Sequence, residues 1–413
     1  MNTTLYQLDS KNKIREWNIS VLDNTPIIGQ ATIQITKGLS DGKKTVDIIV
    51  VQEGLNLGKS NATTYYTQAL SDAQSRLDSK VKEGYTEDIN NLKSNDELGS
   101  GVKAPMLAQK YDPTKKQSGS KNLKDLKLEG KTIFVQRKKD GNRMNLKVER
   151  VNGLTQATLT TRKGDVLPTN GLEHIINDVI EKFDKSFDYY NSKYGIISYV
   201  LDGELFPVKK DGLPVMSFNK LNGLVKKQKK SAEDLQDCLN VRYHLYDVML
   251  PIGYETRYKI IQNFKNTNIH VEEAYEIEAT EANIQKHLEM FLEEGEEGLM
   301  IRVPGVTYEH KRSWSLIKVK NFEDKEFEVV GFEESIQGGR VGAIIVKQDI
   351  PTVDRDGNAI TSFKAGVCFT HEECIEMWNN QSKYIGKFVT VEYFGRSEYN
   401  VCRFPKAKGF RND

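Results

Sequence analysis

Cysteine is scarce in this chain. Only Cys238, Cys368, Cys374 and Cys402 occur in 413 residues, and no two of them form a C-x-x-C pair. A zinc ribbon and a disulfide framework are therefore excluded, and reduced thiols are expected. Long apolar runs are missing too: no stretch reaches the eighteen residues that a membrane helix needs. The opening Met1-Asn2-Thr3-Thr4 lacks the basic and then apolar order of a leader, so a cytoplasmic protein with no membrane segment is expected. Nor does charge of one sign dominate. Lys+Arg less Asp+Glu is 59 − 58 = +1, so bulk charge announces no polyanionic partner. There is no internal repeat and no low-complexity tract. With 38% hydrophobic and 28% charged residues the composition is that of a soluble protein, and 413 residues imply two or three domains.

The near-zero total conceals a strong segregation. Residues 101–150 hold fourteen Lys/Arg and five Asp/Glu, a net of +9. Residues 271–300 hold one Lys and ten acids, a net of −9. Such asymmetry gives either one basic surface that attracts a polyanion or two oppositely charged solvated faces.

Residues 1–88 read as a small α+β unit. Alternation in Ala31–Ile35 and Thr45–Val51 predicts strands. A helical repeat through Tyr65, Ala69, Ala73, Leu77 and Val81 ends near Gly84. Residues 89–125 are polar and turn-rich, with Ser-Gly-Ser at 118–120, and read as a linker. The middle, 126–322, mixes strands (Thr132–Gln136, Ile197–Leu201) with amphipathic helices. One helix is marked by Leu172, Ile175, Ile176, Val179, Ile180 and Phe183, the other by Ile284, Leu288, Phe291 and Leu292. From about 323 short strands recur, at Glu326–Phe332, Val341–Lys347, Gly366–Thr370 and Phe388–Phe394. Their even spacing suggests a small barrel.

The residues that can carry chemistry begin with Lys138-Lys139-Asp140-Gly141-Asn142-Arg143, directly after an apolar strand. A lysine at a strand end beside a tight Gly turn can present its amine to a cleft. Neighbouring cations disfavour the protonated form of such an amine and make it nucleophilic. A charged β-turn is the plain alternative. Leu201-Asp202-Gly203-Glu204-Leu205-Phe206 then places two carboxylates on a strand. Tyr243-His244-Leu245-Tyr246-Asp247-Val248 sets an aromatic beside an acid. Glu297-Gly298-Leu299-Met300-Ile301-Arg302 puts a carboxylate before an apolar run. Leu316-Ile317-Lys318-Val319-Lys320 puts two lysines on one strand face. Each segment is weak alone, since strand-end acids and alternating lysines usually just face water.

In order and together, these segments resemble the motif set of the covalent nucleotidyltransferases, and in particular the compact viral and phage ATP-dependent DNA ligases. The resemblance spans about 126–413. It includes the terminal Arg403-Phe404-Pro405-Lys406-Ala407-Lys408-Gly409-Phe410-Arg411-Asn412-Asp413, which is similar to the R-F-P…R-x-D motif that ends the ligase barrel domain. It implies an α+β multidomain protein: a small N-terminal α+β domain (1–88), an entry segment (89–125), an adenylyltransferase domain of ATP-grasp-like antiparallel sheets with helices (126–322), and an OB-fold barrel (323–413). It also implies ATP and Mg²⁺ as cofactors, and nicked double-stranded DNA sealed by a monomer through a lysyl-AMP intermediate.

The resemblance assigns roles residue by residue. Lys138 takes AMP from ATP. Arg143 and Arg162, the latter in Thr161-Arg162-Lys163-Gly164, contact ribose and phosphates. Tyr246 stacks on adenine, and Gln136, where many relatives carry Glu, accepts from the adenine amine. Glu204 binds ribose or metal, and Glu297 serves the metal. Lys318 and Lys320 hold the α-phosphate, and Arg403 orients pyrophosphate. An RNA ligase or capping-type enzyme would share most of these motifs; the R-F-P ending favours DNA. An NAD-dependent ligase is disfavoured by the missing C-x-x-C module.

Three other features are less specific. Ile35-Thr36-Lys37-Gly38-Leu39-Ser40-Asp41-Gly42, the helix after it and Lys82-Glu83-Gly84-Tyr85 resemble a WGR-type module, found in some nick- and break-binding proteins. Lys37 and Leu39 stand where that signature has tryptophan and arginine. Lys226, Lys227, Lys229 and Lys230 form a basic loop that either meets phosphates or is solvated. The histidines, His287 and His310 among them, lack metal-ligand spacing and read as structural or surface residues.

Overall fold

The computed structural model describes residues 1–9, 11–23, 29–94, 97–98, 102–113, 119–320, 323–336, 338–397 and 399–410. The end of the terminal motif, Arg411–Asp413, and Ser118 lie outside the described residues.

The N-terminal unit is an antiparallel meander of Asn2–Leu8, Ile14–Asp23, Ala31–Leu39 and Lys44–Val51, in that order. Alternate residues Trp17, Ile19, Val21, Ile33 and Ile35 point to one face. The helix Tyr65–Lys82 covers that face with Ala69, Ala73 and Leu77, three small or slim side chains that let it lie close. A reciprocal Thr64/Thr67 capping box starts the helix. The first two strands were not anticipated, although the turn between them is written in Asp9, whose carboxylate accepts from Lys11 N and Lys13 N, and in Asn12 at φ +57°. Lys37, at the position of the missing tryptophan, is held by Asp47 at 2.5 Å.

Two sheets form the centre. One has the strand order Tyr275–Glu278, Thr132–Lys138, Gly298–Arg302, Arg312–Val319, Leu107–Tyr111, Ser120–Lys121. The other runs Ile269–Val271, Val241–Val248, Ser198–Pro207, Asn142–Val151, Leu154–Thr161. The helix Glu173–Tyr194 packs on the second sheet through Ile175, Val179 and Phe183. Each such side chain, fully buried, contributes roughly 1.5–3 kcal/mol. Leu107–Tyr111 and Ser120–Lys121 fall in the stretch expected to be a linker. Polar composition concealed them because Leu107–Tyr111 pairs parallel with the Arg312–Val319 strand, a contact over two hundred residues away.

The C-terminal barrel is closed in the order Glu323–Glu334, Val341–Lys347, Ser362–Val367, Lys406–Phe410, Phe388–Tyr393. Its third strand lies four residues earlier than the sequence pattern placed it: Thr370 instead caps the helix His371–Asn379. The last strand, Lys406–Phe410, is the terminal basic run itself, pairing parallel with Ser362–Val367 and antiparallel with Phe388–Tyr393. All four cysteines are free thiols. Among the described residues no helix is long and apolar enough to cross a membrane.

Candidate active site

The turn Lys139-Asp140-Gly141 passes the chain from one central sheet to the other, so Lys138 sits where the sheets diverge. Gly141 is required there. A Cβ would lie 2.7 Å from Leu205 O and 2.8 Å from Glu204 Cγ, and its N–H donates to Glu204 Oε1 at 2.9 Å. The close approach brings the lysine of the first sheet and the carboxylate of the second to one cleft of about 820 Å³. Gln136, Lys138, Arg143, Arg162, Glu204, Tyr246, Glu297, Lys318 and Arg403 all line it. Lys320 alone of the expected residues does not, though it touches the lining through Glu297.

Antiparallel pairing of Gly298 with Lys138, and of Met300 with Lys318, aligns the three motif strands. Glu297 donates its N–H to Lys138 O at 2.8 Å, and its two carboxylate oxygens take Lys138 and Lys320, one each. The charge segregation seen in sequence is therefore partly cancelled inside the fold. Arg137 pairs with Glu294 at 2.5 Å and Lys139 with Glu296 at 2.7 Å, flanking the Lys138–Glu297 contact. Lys138 was expected to sit among cations, but the group it touches is the Glu297 carboxylate. The depressed lysine is Lys318, whose ammonium is pulled down to about 8 by burial and then by Lys320 and Lys138. Lys320 instead lies under aromatic cover, 4.3 Å from the Phe394 ring centre.

On the opposite wall Arg143 is held by Asp202 in a two-pronged pair, Nε at 2.9 Å and Nη2 at 2.7 Å. Tyr308 donates to the same carboxylate at 2.5 Å. Tyr246 lies between two cations, 5.8 Å from Arg143 and 5.5 Å from Arg302. Gln136 Oε1 accepts from Arg302 Nε at 2.5 Å, and its NH₂ donates to Glu272 O at 3.2 Å. In this arrangement its amide is used internally. Arg302 also pairs with buried Asp247. Burial raises the Glu204 carboxyl to about 7, against the pull of Lys138. Arg162 is depressed by burial, then by Arg143 and Arg312.

The barrel reaches this cleft through Arg403 and Phe404. Arg403 Nη1 and Nη2 sit 2.7 and 3.1 Å from the Asp140 carboxylate, two positions after Lys138. Asp140, Asp202 and Arg302 had no assigned role from sequence, although all three lie inside the quoted motifs. Period-2 spacing from Met300 would have aimed Arg302 at the cleft. The basic loop is mixed: Lys226 lines the cleft, whereas Lys227 is tied to Asp234 at 2.6 Å. His287 and His310 accept structural roles, each with its Nδ1 2.8 Å from a backbone carbonyl.

The two sheets flanking the lysine-bearing cleft are mixed rather than wholly antiparallel as expected, because Leu107–Tyr111, Ser120–Lys121 and Ile269–Val271 add parallel edge strands. With a separate closed barrel latched to the rim, this is the arrangement of a nucleotidyltransferase. The comparisons narrow this class. A family model described as ATP dependent DNA ligase domain matches residues 105–320, over half of the chain, and one described as DNA ligase OB-like domain matches 337–411. The chain belongs to the ATP-dependent DNA ligase family, and it is an ATP-dependent DNA ligase that acts on DNA with ATP. Among solved structures it is similar to a Lig E DNA ligase, at 20% identity and a TM-score of 0.51, covering 75% of this chain and 100% of that one. It is also similar to the protein named Pmar-Lig_Pre, at 22% identity and 0.53, covering 75% of this chain and 68% of that one. The bacteriophage T7 ATP-dependent DNA ligase complexed with ATP aligns at 16% identity and 0.43, over 74% and 98%. These likenesses concern the fold. No curated protein matches the chain.

Proposed function

We propose that this ligase seals 5′-phosphate/3′-hydroxyl nicks in duplex DNA, as a monomer, by way of AMP carried on Lys138. The charge of the cleft supports this most directly. Lys318, Arg162 and Arg312 face it, and among the described residues none of them pairs with a carboxylate. Lys318 is half-buried while Arg162 and Arg312 are exposed at the rim. A half-buried cation without an anion is costly and exposed ones remain free to bind one, and the triphosphate of ATP and a DNA 5′-phosphate are such ligands.

In the first step the side-chain nitrogen of Lys138 attacks the α-phosphorus of ATP. A nitrogen–phosphorus bond forms and pyrophosphate leaves. Lys318 and Lys320 hold the α-phosphate from the neighbouring strand, and Arg403 orients the leaving group. Tyr246 offers a half-buried ring for adenine between Arg143 and Arg302. AMP then passes to the 5′-phosphate at the nick, met by Arg162 and Lys163, and the 3′-hydroxyl displaces it. For the DNA to enter, the Arg403–Asp140 bridge must open and the barrel swing aside.

Glu204 and Glu297 provide the hard oxygen donors that suit Mg²⁺, and the raised Glu204 carboxyl marks a buried acid that a cation would relieve. Bound there, Mg²⁺ would neutralise phosphate charge. Four free thiols fit action in a reducing, cytoplasmic setting.

The test is direct. Protein incubated with ATP and Mg²⁺ is digested and examined by mass spectrometry, then chased with nicked DNA. An adenylyl adduct on the Lys138 peptide, absent in Lys138→Ala and discharged by the nick, is expected. An adduct at another lysine would overturn the assignment.

A further inference from the structure

No histidine pair has metal-ligand spacing in the sequence, yet strand pairing makes one. Ile269–Val271 runs parallel to Val241–Val248 with His270 in register beside His244. Both rings therefore leave the same sheet face, their centres 5.0 Å apart. Glu272 follows two residues after His270, on that face again. Its Oε1 is 2.6 Å from His244 Nδ1 and 4.0 Å from His270 Nε2. One donor atom from each of the three residues falls within 4.8 Å of the others.

Glu272 is fully buried, and its second oxygen, Oε2, has no hydrogen-bond partner. Lys139 lies 3.8 Å from Oε1 but is closer to Glu296, at 2.7 Å, so it does not satisfy that oxygen. A buried carboxylate oxygen left without a donor is costly and calls for a ligand. Two imidazoles and one carboxylate are a donor set of zinc-class ions, which place tetrahedral ligands about 3.3 Å apart. The observed separations bracket that value, so small side-chain rotations suffice.

We propose that His244, His270 and Glu272 bind a single zinc-class divalent ion, with the fourth position open to water beside half-exposed His270. The ion takes the place of the His244–Glu272 hydrogen bond. The site differs from the cleft carboxylates, which offer oxygen alone and lie on other strands. It does share structure with them. Glu272 O accepts from the Gln136 amide at 3.2 Å, so a bound ion would pin the edge strand that supports Gln136 behind the cleft. The inference does not depend on the identity of the nucleotide acceptor.

The full chain, stripped with chelator, is titrated with Co²⁺ followed by visible absorption, and with Zn²⁺ by calorimetry, both in excess Mg²⁺ to occupy oxygen-only sites. One equivalent per chain is expected, with a tetrahedral Co²⁺ spectrum that Zn²⁺ abolishes. Affinity should fall at least about tenfold in His270→Ala and in Glu272→Gln, and stay unchanged in His287→Ala. His270 is exposed at an edge, so its variant keeps the fold and decides the matter alone if Glu272→Gln does not fold. No binding, or binding undiminished in His270→Ala, overturns the site.

Discussion

Arg403, at the mouth of the barrel's last strand, grips both oxygens of Asp140, two residues past Lys138. This contact joins the barrel to the lysine turn, and the adenylylation proposed above would use it to keep the barrel over the cleft. Both side chains are partly exposed, so the pair itself is worth only about 0–1 kcal/mol. Its effect lies in position rather than in stability. Arg403→Ala is expected to slow lysyl-AMP formation by roughly a hundredfold. Sealing of a nick that is already adenylylated should change only a few-fold. Single-turnover assays of the two steps compare them, and equal losses in both would reject the latch.

Glu297 takes Lys138 on one carboxylate oxygen and Lys320 on the other, and the backbone beside it is constrained. Gly298 has φ +147°, and a Cβ there would come within 2.4 Å of Val319 O. Gly298→Ala must push apart the strands that carry Lys138 and Lys318. A loss of about 2–4 kcal/mol in stability is expected, with lysyl-AMP formation reduced well beyond it. Denaturant unfolding and adduct formation in one preparation would measure both. A fully stable, fully active variant would show that the register is not held by this glycine.

The motif strands, the lysine turn and the barrel were legible because each is local. Period-2 patterning and a Gly turn are written in consecutive residues. What was not legible depended on pairing at a distance. Leu107–Tyr111 looks like a linker until it meets the Arg312–Val319 strand. Asp202 looks like one acid of a pair until it is seen holding Arg143. The +9 and −9 segments look like two surfaces until Arg137, Lys138 and Lys139 are found against Glu294, Glu297 and Glu296. His244 and His270 look isolated until parallel strands align them.

The N-terminal unit touches the site's edge through Lys82 and Asp165, 2.6 Å apart, at the end of the loop that carries Arg162. Both groups are substantially exposed, so this tether is weak and sensitive to salt. Both family models begin beyond it, the first at residue 105. Removal of residues 1–88 is expected to leave lysyl-AMP formation within about twofold. Affinity for nicked duplex should fall, with a shallower dependence on salt as phosphate contacts are lost. Binding curves at three salt concentrations check this, and an unchanged slope would confine the unit to a structural role.

Lys318 makes the cleft sensitive to pH in a direction that can be worked out. Its pKa is depressed from the ordinary lysine value to about 8, so between roughly pH 8 and 10 the unfolded chain binds a proton that the folded one lacks. Stability from this group accordingly rises with pH through that window, and the penalty is fully present below it. Phosphate reverses the sign of the environment. An ATP α-phosphate beside Lys318 restores the charged form, so ATP binding near pH 8 should take up a fraction of a proton, about half at most. Calorimetry in buffers of different ionisation enthalpy reads that uptake. Lys318→Met should abolish it while raising the melting temperature of the nucleotide-free protein at pH 7, because the variant removes a half-buried cation with no partner. Proton release, or uptake that persists in the variant, would place the ATP phosphates away from this strand.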